Sequence, residues 1–111
     1  MNKFQALADP SRRKIIEILS QKGELQASDI YEYFDVSPQA VSQHLKVLRE
    51  AELVTVEKQA QMRLYRVNPA AVVEVETWAR QLRQLWEERF DAIERILERE
   101  KDKENKKNEQ E

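Results

Sequence analysis

The chain has 111 residues, room for one small domain and its core. It holds no cysteine and one histidine, which excludes disulfides, thiolate metal sites and thiol redox chemistry and leaves no nucleophile–base–acid set for an enzyme. Apolar residues make up 41% and charged residues 36%, and the net charge of −2 is unevenly spread. Residues 1–68 carry ten Lys/Arg against nine Asp/Glu, and residues 69–111 carry nine against twelve. Any surface for a polyanion must therefore come from local clustering in the first part. With one Gly there is no glycine-rich phosphate loop. No apolar run approaches 18 residues and no signal peptide is evident, so the chain is expected to be soluble and cytoplasmic, with no membrane partner.

Phe4, Leu7 and Ala8 form a short apolar patch ahead of Asp9-Pro10-Ser11. Asp9 is a good N-cap, and Pro10 at the first helical position gives up a hydrogen bond that the helix would not make. Ile15, Ile16, Ile18 and Leu19 then supply an apolar face at helical spacing, ending near Gly23. Arg12, Arg13 and Lys14 sit together on the first turn of this helix, as ordinary solvated charge or as phosphate contacts.

A second helix is predicted from about Ala27 to Phe34, with Ile30, Tyr31 and Phe34 inward. Asp35-Val36 is only a turn. Ser37-Pro38 repeats the cap-plus-proline signal, and Val41, Leu45 and Leu48 follow at i, i+4, i+7. Two short helices joined in this way describe a helix-turn-helix. The polar side of its second helix carries Gln39, Ser42, Gln43 and Lys46, with no acid before Glu50. Short hydroxyl and amide side chains suit hydrogen bonding to base edges in a major groove.

Leu53 to Val56 and Leu64 to Val67 read as two strands around a polar loop, residues 57–63. A helix-turn-helix followed by a two-stranded ribbon is a winged helix. Asn68-Pro69 caps the last helix, whose apolar positions run through Val72, Val75, Trp78, Leu82, Leu85, Trp86, Phe90, Ile93, Ile96 and Leu97. From 70 to 100 it would measure roughly 46 Å, beyond the diameter of about 30 Å expected of a small domain. Its stripe needs a partner, and a homodimer is the economical one. Residues 101–111 contain no apolar side chain and are expected to be a disordered charged tail. The fold class is thus mainly α with a small β-hairpin wing. A DNA-binding domain is expected over 1–68, and a long dimerisation helix packed on the same domain over 69–100.

With these residues in place, the chain resembles the ArsR-type winged-helix repressors over about residues 2 to 98. The resemblance is carried by Phe4 to Arg13, by Val41 to Ala51, by Tyr65 to Asn68, and by Trp78 with Leu85 to Arg89. It implies a dimeric repressor that binds double-stranded DNA at an inverted-repeat promoter operator. DNA contact is assigned to Ser37, Gln39, Ser42, Gln43, His44, Lys46, Lys58, Arg63, Arg12 and Arg13. Dimerisation is assigned to Phe4, Leu7, Val75, Trp78, Leu82, Leu85 and Trp86, the tryptophans suiting a dimer core better than the wall of a ligand pocket.

Family members commonly have Gly at the positions of Glu52 and Ala60, so the helix end or the wing is expected to be shaped differently here. With Lys58 and Arg63 its only cations, the wing is expected to add little to DNA binding. The family's sensor segment reads Glu-Leu-Cys-x-Cys-Asp-Leu, and here it is Glu24 to Ile30, with Gln26 and Ser28 in place of the thiolates. The last helix has no His for a second metal site, so neither metal nor cofactor is expected. A protein-interaction module on a winged-helix scaffold is the alternative, favoured by the neutral recognition helix and the acidic C-terminal part.

Overall fold

The computed structural model describes residues 1–109, which divide into two compact units, Met1–Val75 and the residues from Glu76 onward. The elements in chain order are α1 (Lys3–Ala6), α2 (Pro10–Lys22), β1 (Glu24–Gln26), α3 (Ala27–Tyr31), α4 (Pro38–Glu50), β2 (Val54–Gln59), β3 (Met62–Val67) and α5 (Pro69–Glu109). The first two cap-plus-proline signals work as the sequence suggests. The Asp9 carboxylate accepts from the Arg12 backbone N–H at 3.0 Å, and Ser37 Oγ accepts from the Ala40 N–H at 3.2 Å. Each replaces a bond the helix start cannot make internally.

The core of the first unit gathers Ile15 and Leu19 of α2, Ile30 of α3, and Val41, Leu45 and Leu48 of α4. Leu53, Val54 and Ala71 close it. Each large aliphatic side chain buried here contributes about 1.5 to 3 kcal/mol. The i, i+4, i+7 spacing of Val41, Leu45 and Leu48 therefore fixes which face of α4 is turned in. The opposite face is left to solvent.

The wing is a three-stranded antiparallel sheet of order β1-β3-β2, where the sequence suggests two strands. Glu24 pairs with Arg66 and Gln26 with Leu64, so β1 exists through a partner forty residues away. The hairpin pairs Val54 with Val67 and Val56 with Tyr65, then runs on to Lys58 with Arg63 and Gln59 with Met62. The strands are longer than expected, and only Ala60 and Gln61 remain for the turn. Glu52 (φ 62°) and Ala60 (φ 56°) adopt left-handed backbone. The chain thus keeps the turns that Gly would favour and accepts the strain of a Cβ there, which corrects the expectation of a different shape.

Other boundaries also differ. A capping box between Asn2 and Gln5 makes a helix of the N-terminal patch. Helix α3 stops at Tyr31 rather than Phe34. The first unit extends past Asn68 to Val75, because the first turns of α5 bury Ala71 and bring Glu74 within 3.2 Å of Lys3. The tail expected to be disordered from 101 is helical as far as Glu109; positions 110–111 lie outside the described residues. Lys and Glu are good helix formers, and opposite charges a turn apart, such as Glu100 and Lys103, favour the helix without any apolar contact.

Candidate nucleic-acid interface

At about 100° per residue, Gln39, Ser42, Gln43 and Lys46 fall within an arc of roughly 100° on α4. All four are exposed, while Val41, Leu45 and Leu48 on the other side are fully buried. Ser37 stands exposed at the helix start with its oxygen already accepting from Ala40, which leaves its O–H as a donor. The structure therefore brings five of the assigned DNA-contact residues onto one surface, whose one acid on α4 is Glu50 at the far end of the helix.

Strand alternation places the wing cations. Val54, Val56 and Lys58 share one face of β2, and their partners Val67, Tyr65 and Arg63 share the same face of β3. Val54 belongs to the core and its neighbours Val67 and Tyr65 pack on it, so Lys58 and Arg63 project on the core side where the ribbon has run past it. With Arg49 they line an open groove of about 750 Å³ that also includes Glu52, Thr55 and Asn68. Arg49, unnoticed in the sequence because it lies near the end of α4, joins the two wing cations.

The other face of the sheet carries an ion-pair cluster of one cation and two acids. Arg66 bridges Glu24 at 2.7 Å and Glu57 at 2.9 Å, linking all three strands.

Three of the assigned residues make contacts within the domain. Arg12 is part-buried, its Nε donating to the Ala6 carbonyl at 2.6 Å and an Nη to the Gln5 carbonyl at 3.3 Å. These carbonyls lie at the end of α1, where a guanidinium matches them well. Arg13 stays exposed but donates to the Leu7 carbonyl at 2.7 Å. The neighbouring Lys14 donates to the Tyr33 carbonyl at 3.1 Å and lies over the Phe34 ring at 4.8 Å. The basic run thus fastens α1 and the end of α3 to α2.

His44 lies on the flank of α4, three-quarters covered, with Nδ1 3.5 Å from an Arg12 Nη and 3.9 Å from the Asp9 carboxylate. The Arg12 backbone N–H holds the Asp9 carboxyl below its ordinary value, against the opposing effect of burial and with help from the His44 and Arg12 charges.

Of the residues assigned to dimerisation, Leu7 packs against the core, Val75 is half-buried and Phe4 is 42% exposed. In the second unit Trp78, Leu82, Leu85 and Trp86 are between 43% and 61% exposed. Phe90, Ile93, Ile96 and Leu97 continue the stripe with similar exposure, and the Trp86 and Phe90 rings lie 5.8 Å apart.

A helix-turn-helix with its recognition face free, backed by a cationic wing, defines a winged-helix DNA-binding protein. Residues 9–56 match the family described as "Bacterial regulatory protein, arsR family". The chain is 35% identical over 77 residues to the transcriptional repressor SdpR of Bacillus subtilis, spanning 69% of this chain and 84% of that one. It is 42% identical over 65 residues to an arsenical resistance operon repressor of Staphylococcus xylosus, spanning 59% and 62%. Among solved structures, an ArsR-like transcriptional regulator from Rhodococcus sp. RHA1 superposes with a TM-score of 0.71 at 29% identity, covering 84% of this chain and 87% of that one. The chain belongs to the arsR family. It is a DNA-binding transcriptional regulator and not an enzyme. Among the described residues no helix is long and apolar enough to cross a membrane.

Proposed function

We propose that the chain is a homodimeric, metal-independent repressor that binds an inverted-repeat operator in promoter DNA in the cytoplasm. The observation that carries this reading is the exposed polar face of α4, free of acid until Glu50 at its last residue, with Gln39, Ser42 and Gln43 at the end that enters the groove in helix-turn-helix docking. Gln43 offers a bidentate contact to adenine N6 and N7, and Lys46, one turn on, reaches phosphate. The repressor relatives support the direction of regulation. The apolar stripe of α5 supports a dimer, since one helix cannot cover its own stripe.

Metal independence is supported by the ligands. Gln26 and Ser28 stand where the family's thiolates would be, and the Gln26 amide is turned to Met62 Sδ at 3.1 Å. The chain offers no Cys anywhere, and its one His faces Asp9 and Arg12. Zinc titration is expected to change operator affinity less than a few-fold; a tenfold loss would remove this part of the reading.

Binding titrations on operator and scrambled DNA at several salt concentrations test the base-reading assignment. Gln43→Ala is expected to cost each half-site about 1 to 3 kcal/mol on operator while sparing scrambled DNA. Lys46→Ala should weaken both and flatten the salt slope by roughly two per dimer. Equal losses on both DNAs for Gln43→Ala, with a flatter slope, would make it a phosphate contact instead.

A further inference from the structure

Arg12 and His44 meet across an interface of three helices. The Arg12 guanidinium is fixed at one end by the Ala6 and Gln5 carbonyls of α1 and reaches the His44 imidazole of α4 at the other. Asp9, which caps α2 through the Arg12 backbone N–H, faces the same imidazole nitrogen. These charged groups come from α2; α1 contributes only carbonyls. The neighbours of His44 one turn away on α4, namely Ala40, Val41, Val47 and Leu48, carry no charge.

We propose that Arg12 and His44 are positioning residues, a strut that seats the recognition helix on α1 and sets operator affinity without touching DNA. The inference rests on the repressor reading above. Its chemistry follows from donor and acceptor inventory. A guanidinium has only donors, so it can bond Nδ1 only while that nitrogen keeps its lone pair, in the neutral Nε2–H form. Protonation turns Nδ1 into a donor. The bond to Arg12 is lost and the imidazolium is drawn to the Asp9 carboxylate instead. The strut therefore changes partner with pH, and α4 loses its tie to α1.

The chain has one histidine, so a pH response that the His44 variant loses belongs to that residue. Operator and scrambled-DNA affinities of the full chain would be measured from about pH 7.5 to 5.5, each at several salt concentrations. The ratio of operator to scrambled affinity should fall on acidification for the wild type. It should stay flat for His44→Asn, whose amide oxygen supplies an acceptor near the Nδ1 position and does not titrate. Arg12→Ala and Arg12→Lys should both lower that ratio about tenfold at neutral pH, within the usual range of coupling effects, with the wild-type salt slope kept.

A flattened slope for Arg12→Ala would make Arg12 a phosphate contact and overturn the proposal. So would wild-type affinity in both Arg12 variants, or a wild-type pH profile in His44→Asn. If Arg12→Ala does not fold, Arg12→Lys and His44→Asn decide the matter alone. A wild-type chain with no preference for operator at any pH is a different failure, which removes the repressor reading itself.

Discussion

Because Arg49 joins Lys58 and Arg63 in one groove, the wing is given a larger part here than its two cations alone suggest, and removing them together, Lys58→Ala with Arg63→Ala, separates its work from that of α4. The two residues are directly paired on one sheet face and exposed. If each neutralises one phosphate, each contributes about 0.9 to the slope of log affinity against log salt. In the proposed dimer four such contacts disappear, so the slope should flatten by about 3.6. Between 50 and 200 mM salt the ratio of wild-type to variant affinity should then shrink by roughly 150-fold. Stability should move the other way. Like charges directly opposite on a ladder are mildly destabilising, so the melting temperature should hold or rise slightly. Fluorescence anisotropy on labelled operator across a salt series supplies the slope, with Lys22→Ala at the far end of α2 as the control. Parallel salt plots for wild type and double variant would refute the assignment and return the wing to a purely structural role.

Glu52→Gly with Ala60→Gly should stabilise the fold by about 1 kcal/mol, read from denaturant midpoints, because left-handed backbone costs a non-glycine residue about 1 to 2 kcal/mol, partly offset by the greater freedom of Gly when unfolded. The Lys3–Glu52 pair at 3.8 Å is exposed on the Glu side, and its loss should subtract little. Since the Asp9 carboxyl titrates below its ordinary 3.8, its stabilisation is complete above that pH and is lost as pH falls through the lower folded value; Asp9→Asn should therefore narrow the stability gap to wild type in strong acid. Leu82→Asp with Trp86→Asp should yield monomers by sedimentation and abolish operator binding, and a double variant that remains dimeric would contradict the assigned interface.

The parts of the fold visible in the sequence are those set by local chemistry. Asp9-Pro10 and Ser37-Pro38 announce helix starts because the cap bond and the absent proline N–H are both local. Val41, Leu45 and Leu48 announce the buried side of α4 by spacing alone, and with it the exposed side that carries the candidate site. What escaped depends on distant partners. Glu24 to Gln26 is too short to show alternation and becomes a strand only by pairing with β3. Nor does the run Arg12-Arg13-Lys14 disclose its role, since a solvated cation and one bound to the end of another helix look alike in sequence. At Glu52 and Ala60 the hairpin pairing and the packing of Leu53 and Val54 overrode the local preference for Gly.

A chain of net charge −2 can still present a surface to DNA because its charges are sorted rather than diluted. Glu24 and Glu57 of the sheet share Arg66, and Glu52 and Glu74 share Lys3 at the base of α5. Arg12, Arg13 and Lys14 spend donors on backbone carbonyls within the domain. Besides Lys22 at the far end of α2, these internal pairings leave over Lys46 on α4, with Arg49, Lys58 and Arg63 around the groove between α4 and the wing. Two strand positions separate the two outcomes. Arg66 points to the outer face and meets Glu24 and Glu57, whereas Arg63, three residues earlier and on the opposite face, meets Lys58. The alternation of β3 thus places one arginine in a structural ion pair and the other beside a like charge, and a polyanion on that face would relieve the repulsion.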